Sequence, residues 1–491
     1  MKLSFIVLVI LLLNIQILKA QQFEVSYSET AFKGPFTGNV LLYLSKESNE
    51  PKNLTVYPCF RMEVKNIKPN QNVTFTDSAI SYPTLLSRIE RGEYNVQVVW
   101  DLNKGGRIIG LSVDNMYNDA VKIKLDNQTE LFKITCDKVV PERIFVESKF
   151  VKEIKAPSKL LSKFYNKPIT INAPVILPKE YYEQPGRMFP VYFIVAGYGS
   201  DYHHYSSSES SDTLASIPMD TIPCIKVYLD GNCPLGHSAY ANSDNNGPVG
   251  DAFAYEFLPD LDKKFRTNGA RVIRGHSSGG WTVAYLLTHY PKLFVAGNAS
   301  APDPVDFHQF TKTNLYKDSV RIEFVDALTI GKIPEGEFKY DLPNIAKSIE
   351  DVIYRGEQNV SFDAVFGPKG KNGLPIPLYN SATGVLNKEV FEHWKKYDLT
   401  QFLVSNWSKL ERDLSGKMRF SVGNEDNAFL NFPVMMLEKE MKKVNANIEF
   451  AYYPGNHFTV VTANYKRDEN AFLVKKYLEW LKNKNKKQNI Y

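Results

Sequence analysis

Two hydrophobic rhythms divide the chain. From about residue 23 to 150, apolar and polar side chains alternate at period two, the spacing of strands with one buried face. Val40-Leu41-Leu42-Tyr43-Leu44, Tyr94-Asn95-Val96-Gln97-Val98-Val99-Trp100 and Leu131-Phe132-Lys133-Ile134 read as strands between turn-rich loops. No long amphipathic helix interrupts them. The pattern predicts a small antiparallel β-sandwich over residues 21–155. This stretch contains no histidine, so packing or binding is its expected role.

Beyond about residue 170, short apolar runs alternate with helix-compatible stretches. Val191-Tyr192-Phe193-Ile194-Val195 reads as a buried strand ending at Gly197-Tyr198-Gly199, and Ile225-Lys226-Val227-Tyr228-Leu229 as the next. A helix is expected from about Asp251 to Phe265. Arg271-Val272-Ile273-Arg274 then leads into Gly275. Met418–Val422 and Ile448–Tyr452 read as late strands. A final helix carries Phe472, Leu473, Trp480 and Leu481 on one side. This alternation argues for an α/β sheet of parallel strands within residues 156–491. Between about 310 and 410 the pattern breaks into an irregular insertion, including Gly367-Pro368-Lys369-Gly370-Lys371-Asn372-Gly373.

Composition changes the picture little. Of 491 residues, 43% are hydrophobic and 23% charged, as in globular proteins. The net charge of +5 is too small to argue for nucleic acid. Lys482, Lys484, Lys486 and Lys487 read as a solvated tail.

The first residues bear on compartment. Lys2, an apolar run from Phe5 to Leu13, and Lys19-Ala20-Gln21 read as a secretory signal peptide over residues 1–20. The apolar run is shorter than the ~20 residues a bilayer span needs. The C-terminus carries no retrieval tetrapeptide or anchor tail. A secreted, extracellular protein without stable membrane insertion is expected, with a lysosomal or other endomembrane lumen as the alternative. Glycosylation sequons stand at Asn53, Asn72, Asn127, Asn298, Asn359 and Asn406. Cys59, Cys136, Cys224 and Cys233 form an even set. Pairing Cys59–Cys136 and Cys224–Cys233 would close each bridge within one domain, and an oxidising compartment favours bridges. No Cys-x-x-Cys pair supports zinc or redox chemistry.

One motif carries chemistry. Gly275-His276-Ser277-Ser278-Gly279 matches G-x-S-x-G, follows a short strand and opens a helix-compatible run. A nucleophile on a tight strand-to-helix turn needs small neighbours, and Gly275 and Gly279 supply them. The Ser278 amide would face a developing oxyanion at a helix N-terminus. In such sheets the chain order is Ser, acid, His. His289, His308, His393 and His457 follow Ser277. His457, in Pro454-Gly455-Asn456-His457 just past a strand, is the expected base. Asp426, in Val422-Gly423-Asn424-Glu425-Asp426-Asn427, is the expected acid, with Glu425 the alternative. The second oxyanion donor should come from Gly197-Tyr198-Gly199, with the Tyr198 amide first in line. Asp303 and Asp306 with His308 have metal-ligand chemistry. Pro302 and Pro304 favour a rigid loop there, and no metal is expected.

The elbow with Trp281 after it, and Ala301-Pro302-Asp303-Pro304-Val305-Asp306-Phe307 beyond, resembles the secreted enterochelin esterase-like branch of the α/β-hydrolases. So do Leu229-Asp230-Gly231-Asn232-Cys233-Pro234-Leu235-Gly236-His237 and Asn245-Asn246-Gly247-Pro248. Phe36-Thr37-Gly38 and Gly92-Glu93-Tyr94-Asn95-Val96-Gln97 resemble the β-rich segment that precedes the hydrolase in such proteins. The likeness implies an α/β-hydrolase fold behind a small antiparallel β-sandwich, with Ser277, Asp426 and His457 as triad. Ala196 departs from the His-Gly pair of many relatives. The expected function is hydrolysis of a small-molecule carboxylic ester through an acyl-enzyme, without cofactor. A serine peptidase and a non-catalytic extracellular binding protein on the same scaffold are the alternatives.

Overall fold

The computed structural model describes residues 21–54, 58–126, 131–208, 219, 222–321 and 343–488. The expected signal segment 1–20 and the sequon at Asn127 lie outside the described residues. The chain forms two compact units. One holds the described residues up to Leu102 and those of 115–140; the other holds Asn103–Asp114 and the described residues from Pro141 onward. Strand Val151–Ser158, which crosses the boundary expected at 155, pairs within the second unit.

The first unit has two sheets. A three-stranded sheet runs Val73–Phe75, Gln22–Tyr27, Leu131–Cys136. A seven-stranded sheet is centred on Gly92–Asp101, Phe36–Ser45 and Cys59–Ile67. Alternate side chains build the common core. Phe23, Val25 and Tyr27 come from the small sheet; Val40, Leu42, Leu44, Val96, Val98 and Trp100 come from the large one. Trp100 is wholly buried, with Tyr27 and Phe36 edge-on at 4.9 and 5.1 Å. One pairing departs from the antiparallel expectation: Gln22–Tyr27 and Leu131–Cys136 run parallel.

The second unit is built on an eight-stranded sheet. Its strands are β1 (Val151–Ser158), β2 (Ile169–Ile176), β3 (Phe189–Val195), β4 (Ile225–Leu229), β5 (Thr267–His276), β6 (Ala296–Ser300), β7 (Met418–Gly423) and β8 (Glu449–Tyr453). The spatial order is β1-β2-β4-β3-β5-β6-β7-β8. Strands β1, β2 and β4 pair antiparallel, and β4 through β8 pair parallel. The sheet is therefore mixed at one edge, where β1 and β2 add two strands to those read from the sequence. All seven residues of β3 are buried, as a strand covered on both faces requires. Val191, Phe193 and Val195 join the core shared with helix Ser278–His289. Tyr192 and Ile194 join the core shared with Phe472 and Leu473 of helix Ala463–Gln488.

A buried polar network pins that last helix to the sheet. Arg274 Nε donates to Glu469 Oε1 at 3.0 Å. Asn298 Nδ2 donates to Glu469 Oε1 and Tyr465 Oη at 2.6 and 2.9 Å. Arg419 Nη1 donates to Asn298 Oδ1 at 3.2 Å. These groups tie β5, β6 and β7 to one helix through Glu469 Oε1, while Glu469 Oε2 is buried without a hydrogen-bond partner.

Several expectations are corrected. The 310–410 insertion is not irregular: its described part carries helices Pro343–Ile353, Gln358–Phe366 and Lys388–Trp394, followed by Leu399–Leu414. The sequon at Asn298 is wholly buried with Nδ2 engaged, so the folded chain cannot present it for glycosylation. Of the other described sequons, Asn72 is exposed, while Asn53, Asn359 and Asn406 are half-buried. All four cysteines are free thiols. Cys136 faces the core of the first unit, whereas Cys59 alternates with core-facing Phe60 and points to the opposite face. Cys224 precedes and Cys233 follows the five-residue β4, a strand that rises about 16 Å from end to end. A disulfide needs Cα atoms about 4.4–6.8 Å apart.

Two measurements check this architecture. Thiol titration of the denatured, unreduced protein should find four reactive cysteines; bridged cysteines would be silent. Glu469→Ala strands the buried Arg274 charge and should lower unfolding free energy by about 3–5 kcal/mol in urea denaturation.

Candidate active site

The site begins where backbone packs on backbone. At Gly275 an added Cβ would lie 2.2 Å from Gly279 O, and at Gly279 it would lie 2.2 Å from Val195 O. Only glycine lets the ends of β3 and β5 approach the first turn of helix Ser278–His289 so closely. Between these glycines Ser277 adopts φ 60° and ψ −127°, a conformation that costs a non-glycine residue about 1–3 kcal/mol. Three backbone bonds hold it there. Ser277 N donates to Ser300 O at 3.0 Å, and Ser277 O accepts from Trp281 N and Asp303 N at 3.1 and 3.2 Å.

The loops after β7 and β8 bring the partners. Asn424 N donates to Tyr453 O at 2.8 Å and Glu425 N to Gly455 O at 3.1 Å, so the two loops are zipped together. His457 N is caught by Asn427 Oδ1 at 3.2 Å. His457 Nε2 then stands 3.1 Å from Ser277 Oγ, and His457 Nδ1 stands 3.0 Å from Asp426 Oδ2. Asp426 is buried, and its Oδ1 accepts from Ala428 N and Leu430 N at 2.9 and 3.3 Å. An ionised Asp426 holds the proton on Nδ1, leaving the Nε2 lone pair for the serine hydroxyl.

The other candidates lie elsewhere. Glu425 is exposed. His289 packs between Tyr285 and Phe402, with Nδ1 on Tyr285 O at 3.0 Å. His393 bonds Asp244 and Phe366 O at 2.8 and 2.7 Å. His276 sits beside His457, with ring centres 4.6 Å apart. Burial, with the neighbouring His457, pushes it down to about 3, so it stays neutral.

The segments that carry the two expected oxyanion amides adjoin the serine. Ser278 opens the helix, where unpaired N–H groups and the helix dipole favour negative charge. Gly197 runs alongside: a Cβ there would meet Ser277 Cβ at 3.3 Å. Among the described residues, neither the Ser278 nor the Tyr198 amide has an acceptor. The Tyr198 ring is fixed from far along the chain. Its hydroxyl accepts from Arg107 Nη1 at 2.7 Å and lies 2.9 and 2.7 Å from Gly356 O and Glu357 Oε2. The Arg107 guanidinium also stacks 4.7 Å from the ring centre.

Asp303 does not join Asp306 and His308. It turns inward, and its Oδ2 accepts from Ser278 Oγ at 2.6 Å. Asp306 and His308 meet Asp398 instead, with one ligand-type atom from each within 4.8 Å of the others. Each is already engaged: His308 Nδ1 is 2.8 Å from Asp306 Oδ1, and Asp398 accepts from Phe307 N, Tyr316 Oη and Gln401 N at 3.0, 3.0 and 3.1 Å. Burial, with Asp306 nearby, pushes Asp398 up to about 6. This knot fastens the loop after β6 to the start of helix Leu399–Leu414.

The chain is similar to a ferulic acid esterase at 14% identity, covering 67% of this chain and 98% of that one, with TM-score 0.38. It is similar to fluorophosphonate-binding serine hydrolase F of Staphylococcus aureus at 15% identity, over 66% and 98%, with TM-score 0.38. An S-formylglutathione hydrolase of Staphylococcus aureus matches at 14% identity, over 66% and 99%, with TM-score 0.36. A search of curated proteins finds none that matches. Residues 162–456, more than half of the chain and the span that carries the elbow, match the family described as "Putative esterase". The protein therefore belongs to this esterase family and is a carboxylic ester hydrolase on an α/β-hydrolase fold preceded by a β domain.

Proposed function

We propose that this esterase works through an acyl-enzyme on Ser277. His457 takes the Ser277 proton as Oγ attacks the ester carbonyl, and the Ser278 and Tyr198 amides receive the oxyanion. The imidazolium gives that proton to the leaving alcohol. Water, activated by the same imidazole, then hydrolyses the acyl-enzyme. Asp426 orients the ring and stabilises its charged form. The observation that carries this reading is the unbroken chain from Ser277 Oγ through His457 to Asp426, with links of 3.1 and 3.0 Å.

The substrate in this reading is a small-molecule ester, and the protein is secreted. The charged, apolar and small-residue order of the first twenty residues supports export. Among the described sequons, the exposed Asn72 is the most accessible for glycosylation. No helix among the described residues is long and apolar enough to cross a membrane. In this reading the chemistry lies in the second unit, and the first serves packing or binding.

A fluorophosphonate tests the mechanism. The adduct should map to Ser277 by peptide mass and vanish in Ser277→Ala. Asp426→Asn should lower kcat by roughly 10³–10⁴-fold, because the imidazole then holds the wrong tautomer. A folded wild-type protein that forms no adduct would overturn the assignment. Peptide turnover exceeding ester turnover would move the serine peptidase to first place.

A further inference from the structure

The proposed mechanism uses one carboxylate, yet two are buried around the elbow. Asp303, on the loop after β6, is 7% exposed. It grips the serine pair twice. Its amide donates to Ser277 O at 3.2 Å, and its carboxylate accepts from Ser278 Oγ at 2.6 Å. Gln358 Nε2, from the insertion, reaches the same Ser278 Oγ at 3.3 Å. Asp303, Ser278, Gln358 and Trp281 line a cavity of about 10 Å³, room for no more than one water. Bulk water is therefore poorly placed to screen this charge.

The groups facing Asp303 can be named from each element. His457 and Asp426 come from the loops after β8 and β7, and both interact with it electrostatically. Ser277 and Ser278 come from the elbow, and Gln358 is uncharged. His237 lines the same cavity, and burial pushes it down to about 4, so it is neutral. His276, beside His457, is neutral as well. The one cation formed in this cluster during turnover is the His457 imidazolium.

From this arrangement we infer that Asp303 is a positioning residue that braces the Ser277–Ser278 dipeptide and sets a second negative charge beside the His457 imidazole. The inference rests on the acyl-enzyme reading. Two jobs follow from one side chain. Gripping Ser278 Oγ orients the residue whose amide receives the oxyanion. The carboxylate charge interacts electrostatically with His457 and so favours its imidazolium form. Burial raises Asp303 to about 6, with the Ser278 bond and His457 opposing the rise. The carboxylate therefore bears its charge above about pH 6 and loses it below.

Paired substitutions of graded strength test this. Asp303→Asn keeps an acceptor for Ser278 Oγ but removes the charge. Its kcat should fall about tenfold with KM little changed, and the acid limb of kcat/KM should move to lower pH. Ser278→Ala keeps the charge but removes a bond that favours the ionised carboxylate. Asp303 then loses its charge at a higher pH, so the acid limb should also move to lower pH, by less than in Asp303→Asn. Both limbs are read on ester turnover and on the rate of fluorophosphonate labelling of Ser277, with circular dichroism confirming the fold. Limbs in both variants that superimpose on wild type would overturn the inference while leaving the acyl-enzyme reading intact. If Asp303→Asn does not fold, Ser278→Ala alone decides by the direction of its shift. A wild-type protein that neither labels nor turns over an ester would end both readings.

Discussion

The site depends on one steric constraint: three backbone segments meet with no space for a side chain. The end of β3, the end of β5 and the first turn of helix Ser278–His289 approach so closely that a methyl group at Gly275 or Gly279 would sit 2.2 Å from a carbonyl oxygen. That contact forces the chain to reverse within one residue, and Ser277 takes the unfavourable dihedrals. The strain persists because the hydrogen bonds around it over-determine the turn. A serine on a relaxed loop would lose its aim at His457.

The rest of the second unit keeps that turn in place. Parallel strands β5, β7 and β8 all end on the same side, so Ser277, Asp426 and His457 converge from positions up to 180 residues apart. On the sheet face beneath helix Ala463–Gln488, the Arg274–Glu469–Asn298–Arg419 network locks the middle strands to that helix. The ion pair at its centre is costly to break, because either partner alone would be a buried unpaired charge. The Asp306–His308–Asp398 knot performs a similar task at the end of β6.

Much of this was legible residue by residue. The alternation around Trp100 and Val40 marks strands of a sandwich because one face of each meets a core. The unbroken apolar run of β3 marks a strand covered on both faces. Asp426 and His457 could be picked because their loops follow strands in the required chain order. Other features gave no local signal. Ala296–Ser300 contains little bulk, so β6 was not read as a strand, and the Asn298 sequon within it looked accessible. The thiols looked pairable because spacing along a chain says nothing about which face of a sheet a cysteine occupies. Arg107 stands in a region with no other candidate chemistry, and nothing near it in sequence announces the contact with Tyr198.

Asp303 shows where the division lies. The sequence by itself determined the elbow, the strand-helix alternation and the order of serine, acid and base, because each rests on contacts a few residues long or on the periodicity of one element. It also showed that Asp303, Asp306 and His308 share a short proline-flanked loop. Only the tertiary structure decided that Asp303 turns towards Ser278 while its neighbours turn towards Asp398. Adjacent side chains on a loop can face opposite ways, and which partner each meets depends on elements 25 and 92 residues distant packing against the same sheet edge.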